Sequence, residues 1–175
     1  MRRLGRWLAA AAVLAAAAGY GLVNTSGHDP ARWHVDPATA RPGANPPGTN
    51  PPGTNQNEFL AAPRGATAVP ADAETRAYPS SPRALLARFD AIARAQPRTR
   101  VVAGDLDSLM ITYVQRSRIF GFPDYLTVKA VAVESATGEG GAGLIVWSRA
   151  RYGRGDFGVN RARVETWLAL LDAVP

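Results

Sequence analysis

The densest chemistry in the chain is the stretch Ser148-Arg149-Ala150-Arg151-Tyr152-Gly153-Arg154-Gly155-Asp156-Phe157-Gly158-Val159-Asn160-Arg161-Ala162-Arg163. In an extended strand Arg149 and Arg151 point to one face. The chain then turns through glycines into the start of a helix that holds Asn160, Arg161 and Arg163. Arginines converging on the outward amides of a helix N-terminus suit a phosphate or carboxylate. Hairpin folding about Gly121 brings Arg116 near Tyr125, and folding about Glu139 sets Lys129 opposite Arg149. The candidate anion- or partner-binding set is therefore Arg149, Arg151, Asp156, Asn160, Arg161, Arg163, Arg116 and Asp124. The competing structural reading is a surface network in which Asp124, Glu134, Asp156 and Glu165 neutralise these arginines, with Arg161 and Glu165 one helical turn apart.

Other chemistries have little to work with. There is no cysteine, and both histidines, His28 and His34, precede the foldable part. The expectation is that no Ser-His or Cys-His nucleophile assembles, that no zinc site of the Cys/His type exists, and that no cofactor is held. The glycines from Gly138 to Gly143 join two strand-like runs, whereas a phosphate loop leads into a helix. Asp105 and Asp107 read as turn formers rather than metal ligands. An enzyme using Asp124 and Asp156 as carboxylates, with arginines orienting an anionic substrate, is the alternative from another class. A purely structural spacer is the third.

The elements that must position these residues follow from pattern. Ser81-Pro82 starts a helix, with Leu85, Phe89 and Ile92 at helical spacing and Pro97 beyond its end. Residues 109–114, 126–133 and 144–147 are β-branched and apolar, and Val101-Val102-Ala103 is a further short strand. Short connections make neighbouring strands antiparallel. A last helix carries Val164, Trp167, Leu168 and Leu171 on one face, with Asn160 as its expected cap. The fold class is α+β: an antiparallel sheet of three to four strands with helices packed on one face.

Ahead of this domain, assigned to residues 57–175, come two segments of different character. Arg2, Arg3 and Arg6 precede an uncharged run from Trp7 to Val23. That pattern fits an N-terminal apolar helix that either anchors the chain or is a cleaved signal peptide, so residues 1–23 form one unit. The anchor reading places a single span in a bacterial cytoplasmic membrane with the domain on the periplasmic side; cleavage would release the domain to the periplasm. Residues 24–56 read as a disordered Pro/Gly/Asn-rich linker in which Asn45-Pro46-Pro47-Gly48-Thr49 is repeated as Asn50-Pro51-Pro52-Gly53-Thr54. Its role is expected to be a spacer, with Trp33 at the membrane interface. The formal charge of +6 divides equally between residues 1–56 and the rest, so the domain is only mildly basic and no nucleic-acid partner is expected.

Three motifs carry a family resemblance: Tyr113-Val114-Gln115-Arg116-Ser117, Phe122-Pro123-Asp124-Tyr125, and Ser148-Arg149-x-Arg151-x-Gly153-x-x-Asp156-x-Gly158-Val159-Asn160-Arg161-x-Arg163. Together they resemble domain-of-unknown-function family 1499, over about residues 57–174. Many members have an Asn-Cys-Val-Ser-Ser-like segment near the domain start, where this chain has Asn57-Glu58-Phe59-Leu60-Ala61. The resemblance implies an exported or membrane-attached protein and supplies no catalytic residues. The functional expectation is a non-catalytic envelope module that binds an anionic ligand, a lipid headgroup or an envelope protein.

Overall fold

The computed structural model describes residues 27–39, 57–134, 140–153 and 155–173, with Trp7, Gly19 and Gly21 alone among the first 26. The apolar run 7–23 otherwise lies outside the described residues, as do the Pro-Pro-Gly repeats, the turn at 135–139 and Arg154. Among the described residues no helix is long and apolar enough to cross a membrane.

One sheet organises the molecule. Its strands are β1 (Glu58–Ala62), β2 (Ala73–Glu74), β3 (Thr99–Asp105), β4 (Met110–Arg116), β5 (Pro123–Glu134) and β6 (Gly140–Ala150). They lie in the order β2-β1-β6-β5-β4-β3. The expected three to four strands are all present and antiparallel to one another; the sheet is larger because β1 pairs with β6 and β2 joins β1 in parallel. Every residue of β1 is buried, so it lacks the in–out alternation by which a strand is recognised in sequence.

Two helices cover one face of the sheet. The first long helix, Pro82–Ala95, starts where the sequence says: Ser81 Oγ accepts from the Ala84 amide at 3.2 Å and proline fills the first turn. The second, Val159–Ala173, is capped differently from expectation. Asp156, not Asn160, takes the exposed amides, its carboxylate accepting from Gly158 N and Asn160 N at 3.0 and 2.8 Å. Between helices and sheet lies the main core, with Leu85, Leu86 and Phe89 against Tyr113, Leu126 and Val146, and Trp167 against Phe89.

Register corrects two local expectations. Lys129 pairs with Ile145, and Arg149 with Tyr125, so the β5–β6 hairpin is centred two residues earlier than supposed. Two glycines of β6, Gly141 and Gly143, are there for close approach rather than for turning. A Cβ on Gly141 would sit 2.7 Å from Tyr78 O, and one on Gly143 would sit 2.5 Å from the Pro63 ring.

The other face of the sheet is covered by the chain's own N-terminal part. A short helix, Pro30–Trp33, and a 3-10 turn, Pro37–Thr39, lie across β4, β5 and β6. The stretch 24–56 is therefore not one continuous spacer. Trp33 is not at an interface with lipid: it is 2% exposed and stacks on Tyr125, ring centroids 3.8 Å apart and 5° from parallel.

Candidate functional site

The alternation of strand side chains splits the candidate residues between the two faces of the sheet. Ser148 and its cross-strand neighbours Leu126 and Tyr113 face the helices. Arg149 and its neighbours Tyr125 and Val114 face the other way. Arg149 and Arg151 thus never meet Asn160 and Arg163.

On the helix side, Arg163 is saturated. Its Nη2 donates to Asp124 Oδ2 at 2.6 Å, its Nε to Gln115 Oε1 at 2.6 Å, and its Nη1 to Ser148 Oγ and Asn160 Oδ1 at 2.9 and 2.6 Å. Asn160 is wholly buried and gives its own amide to Asn57 O and Asp156 Oδ2. Burial pushes the Asp124 carboxyl above its ordinary value, against the pull of Arg163. This knot ties β1, β4, β5 and β6 to the second long helix. Asp124 and Asp156, the two carboxylates of the enzyme alternative, are both engaged in it. Arg161 stands apart and exposed, over the Phe59 ring at 4.5 Å and 3.4 Å from Glu165. Asp156 and Arg161 line a cavity of about 390 Å³ together with Glu58, Asp72 and Phe157.

On the helix-free side, Arg149 is in an unusual state. It is 1% exposed, yet among the described residues no carboxylate is within ion-pair distance of it. Its guanidinium lies over the Trp147 ring at 3.8 Å, with Trp33 at 5.7 Å. Nη2 donates to Trp33 O at 2.8 Å and Thr127 Oγ1 at 3.0 Å, while Nε, also buried, has no acceptor. Desolvation outweighs the field of Glu58 and pulls its pKa down to about 10. Glu58 Oε2 itself accepts from Trp147 Nε1 at 3.0 Å.

The histidines, set aside from sequence as lying before the domain, belong to this face. His34 Nδ1 is 2.9 Å from Thr112 Oγ1, which is in turn 2.9 Å from Thr127 Oγ1. His28 bridges Tyr125 Oη at 2.7 Å and Arg116 Nη2 at 3.2 Å. Arginine only donates, so His28 Nε2 accepts and the ring is neutral, its proton on Nδ1 toward the tyrosine. Burial and then Arg116, Arg100 and Arg151 lower the His28 pKa; burial lowers that of His34 against Asp105. Arg151 Nη1 donates to Gly27 O at 2.9 Å and Tyr125 Oη at 3.2 Å. Lys129 Nζ pairs with Asp36 Oδ2 at 2.5 Å. The bonds of His28, His34, Gly27 and Asp36 join residues 27–39 to the sheet and to Arg151 at its end. Sequence separations of 78 to 124 residues hid them, and the only local signal was the Ala31-Arg32-Trp33-His34-Val35 island in a polar stretch.

The described residues hold no group of three His, Cys, Asp or Glu side chains suited to a metal ion. Neither a curated protein nor a solved structure matches the chain. Residues 47–171 match a family described as Protein of unknown function (DUF1499). That match holds both arginine clusters and leaves out the covering segment 27–39, and by it the chain belongs to the DUF1499 family.

Proposed function

We propose that this chain is a non-catalytic binding module, held on the outer side of a membrane by residues 7–23, whose ligand site is the helix-free face around Arg149. One observation carries the reading: Arg149 is a fully buried cation without an ion-pair partner among the described residues, and its Nε lacks an acceptor. Burying a guanidinium with no carboxylate at ion-pair distance costs several kcal/mol, only partly offset by two hydrogen bonds, the Trp147 ring and the field of Glu58, so a fold that keeps one keeps it for something that supplies oxygen. What supplies oxygen here is a backbone carbonyl, Trp33 O, and what fills the space is the Trp33 ring flat on Tyr125. The segment lies outside the family match while Arg149 lies inside it. Residues 27–39 therefore stand in for a ligand with a planar ring and an anionic oxygen, of which an aromatic carboxylate is the simplest. A carboxylate would satisfy Nη2 and Nε together, as arginine's fork geometry favours.

The test uses the full chain and benzoate as probe, with inorganic phosphate for comparison. Trp33→Ala opens the face, and titration calorimetry should then show benzoate binding at least tenfold tighter than to the unaltered chain. Adding Arg149→Lys, which keeps the charge but not the fork, should abolish that gain. No benzoate or phosphate binding by a folded Trp33→Ala chain would defeat the reading.

A further inference from the structure

Gly27 fixes where the chain enters the domain. Its carbonyl is held by Arg151 Nη1 at 2.9 Å, at the end of the sheet where β4 turns into β5 and β6 leaves for the second long helix. Only Asn24, Thr25 and Ser26 separate Gly27 from Val23, the last residue of the apolar run. Four residue steps reach about 14 Å at full extension. The Pro-Pro-Gly repeats lie between Thr39 and Asn57, two points both on the domain, and so add nothing to this reach. If residues 7–23 lie in a bilayer, this end of the sheet is kept within a headgroup layer's depth of it, since that layer adds about 5–8 Å on each side of the hydrocarbon.

The same end carries the surface that such a position calls for. The β4–β5 turn presents Ile119, Phe120 and Phe122 at 75%, 59% and 40% exposure. Phe122 leans on Phe120 and on Tyr152 from the neighbouring loop, with centroids 5.7 and 6.2 Å apart. The turn is braced, since Arg116 Nη1 donates to Gly121 O at 2.8 Å and Phe122 N to Ser117 Oγ at 3.0 Å. Exposed Arg98, Arg100 and Arg118 surround it, with Arg116 and Arg151 behind. Asp124, at the start of β5, is turned to the helix side and bound by Arg163. Exposed aromatic and aliphatic side chains beside several arginines, with Asp124 held on the other face, match an anionic bilayer surface in both polarity and charge.

We infer that the 117–122 turn, with Tyr152 and the arginines about it, docks into the headgroup layer of an anionic membrane and orients the domain upon it. This rests on the tethered reading above and adds a contact independent of residues 7–23. The absence of cysteine allows one label at a time. Full chains with Phe120→Cys or, at the opposite end of the sheet, Asp107→Cys carry an environment-sensitive dye and are reconstituted into phosphatidylcholine vesicles with or without phosphatidylglycerol. Brominated lipid should quench the dye at 120 and not at 107, more strongly with phosphatidylglycerol, and Arg118→Ser should weaken the contact about fivefold. A chain that floats with the vesicles but is equally unquenched at both sites overturns the docking and leaves the tether standing. A chain that does not float overturns both. Equal quenching at 120 in the two lipid mixtures overturns the choice of an anionic surface.

Discussion

Arg163 and Arg149 lie on opposite faces of one sheet, and they show two ways of burying a guanidinium. Arg163 has an aspartate, a glutamine oxygen, a hydroxyl and an amide oxygen, all within 2.9 Å. Arg149 has two aromatic rings, a backbone carbonyl, a threonine hydroxyl and one nitrogen left over. The first arrangement is complete within the domain and ties strands to a helix. The second is completed by a segment that the family match does not include. The comparison teaches that arginine density in a motif says little until each side chain is assigned to a face. Half of this cluster serves architecture, and the other half is where an acceptor can be exchanged.

That contrast can be broken experimentally, beginning with the largest effect. Arg163→Ala should leave Asp124 buried and alone, costing about 3–5 kcal/mol, read as a lower urea midpoint for the whole domain. Trp33→Ala should act locally. About 3 kcal/mol of packing lost from the covering segment raises proteolytic cleavage within 27–39 roughly a hundredfold, with a much smaller change in the global midpoint. If the two substitutions lower global stability equally, the faces are not different in kind.

A pH titration sharpens the same distinction. His28 and His34 both have folded pKa values below 6.5, because burial and, for His28, nearby arginines disfavour the charged ring. Their contribution to docking the segment is thus fully present above about 6.5 and is lost as the pH falls through the lower folded values. Amide protection factors in 27–39, taken against the intrinsic exchange rate at each pH, should fall over that range, and His28→Gln should flatten the response. Arg161→Ala is the smallest change. Its exposed pair with Glu165 contributes about 0.5 kcal/mol or less, so a larger loss of stability would mean that its stacking on Phe59 matters more than the ion pair.

Much of the scaffold was legible. Ser81-Pro82 starts a helix by local bonds alone, the β-branched runs at 109–114 and 126–133 need no distant partner to be recognised, and the apolar stripe through Trp167 marks a buried helix face. The pairing of Arg161 with Glu165 follows from helix geometry. Less of the candidate site could be read. Arg149, Arg151, Asn160 and Arg163 are close in sequence, but a strand reverses the facing of each successive residue, and only the register with Tyr125 and Leu126 shows which way each one points. Two of the sheet's six strands were missed, one because it is buried on both faces and one because it has two residues.

What the sequence determined by itself is whatever short-range physics controls: the Ser81 cap, strand-forming runs, the charge pattern before residues 7–23, and the absence of thiol chemistry. The tertiary structure alone decided that the segment around Trp33 lies on the sheet, that His28 meets Arg116 and Tyr125, and that Arg149 takes a carbonyl instead of a carboxylate. These contacts join residues about ninety or more positions apart, and beyond the short island at 31–35 nothing local in a polar, proline-containing stretch announces them. They form because a six-stranded sheet with helices on one side leaves its other face apolar and hydrated, and covering that face with Trp33 lowers the free energy.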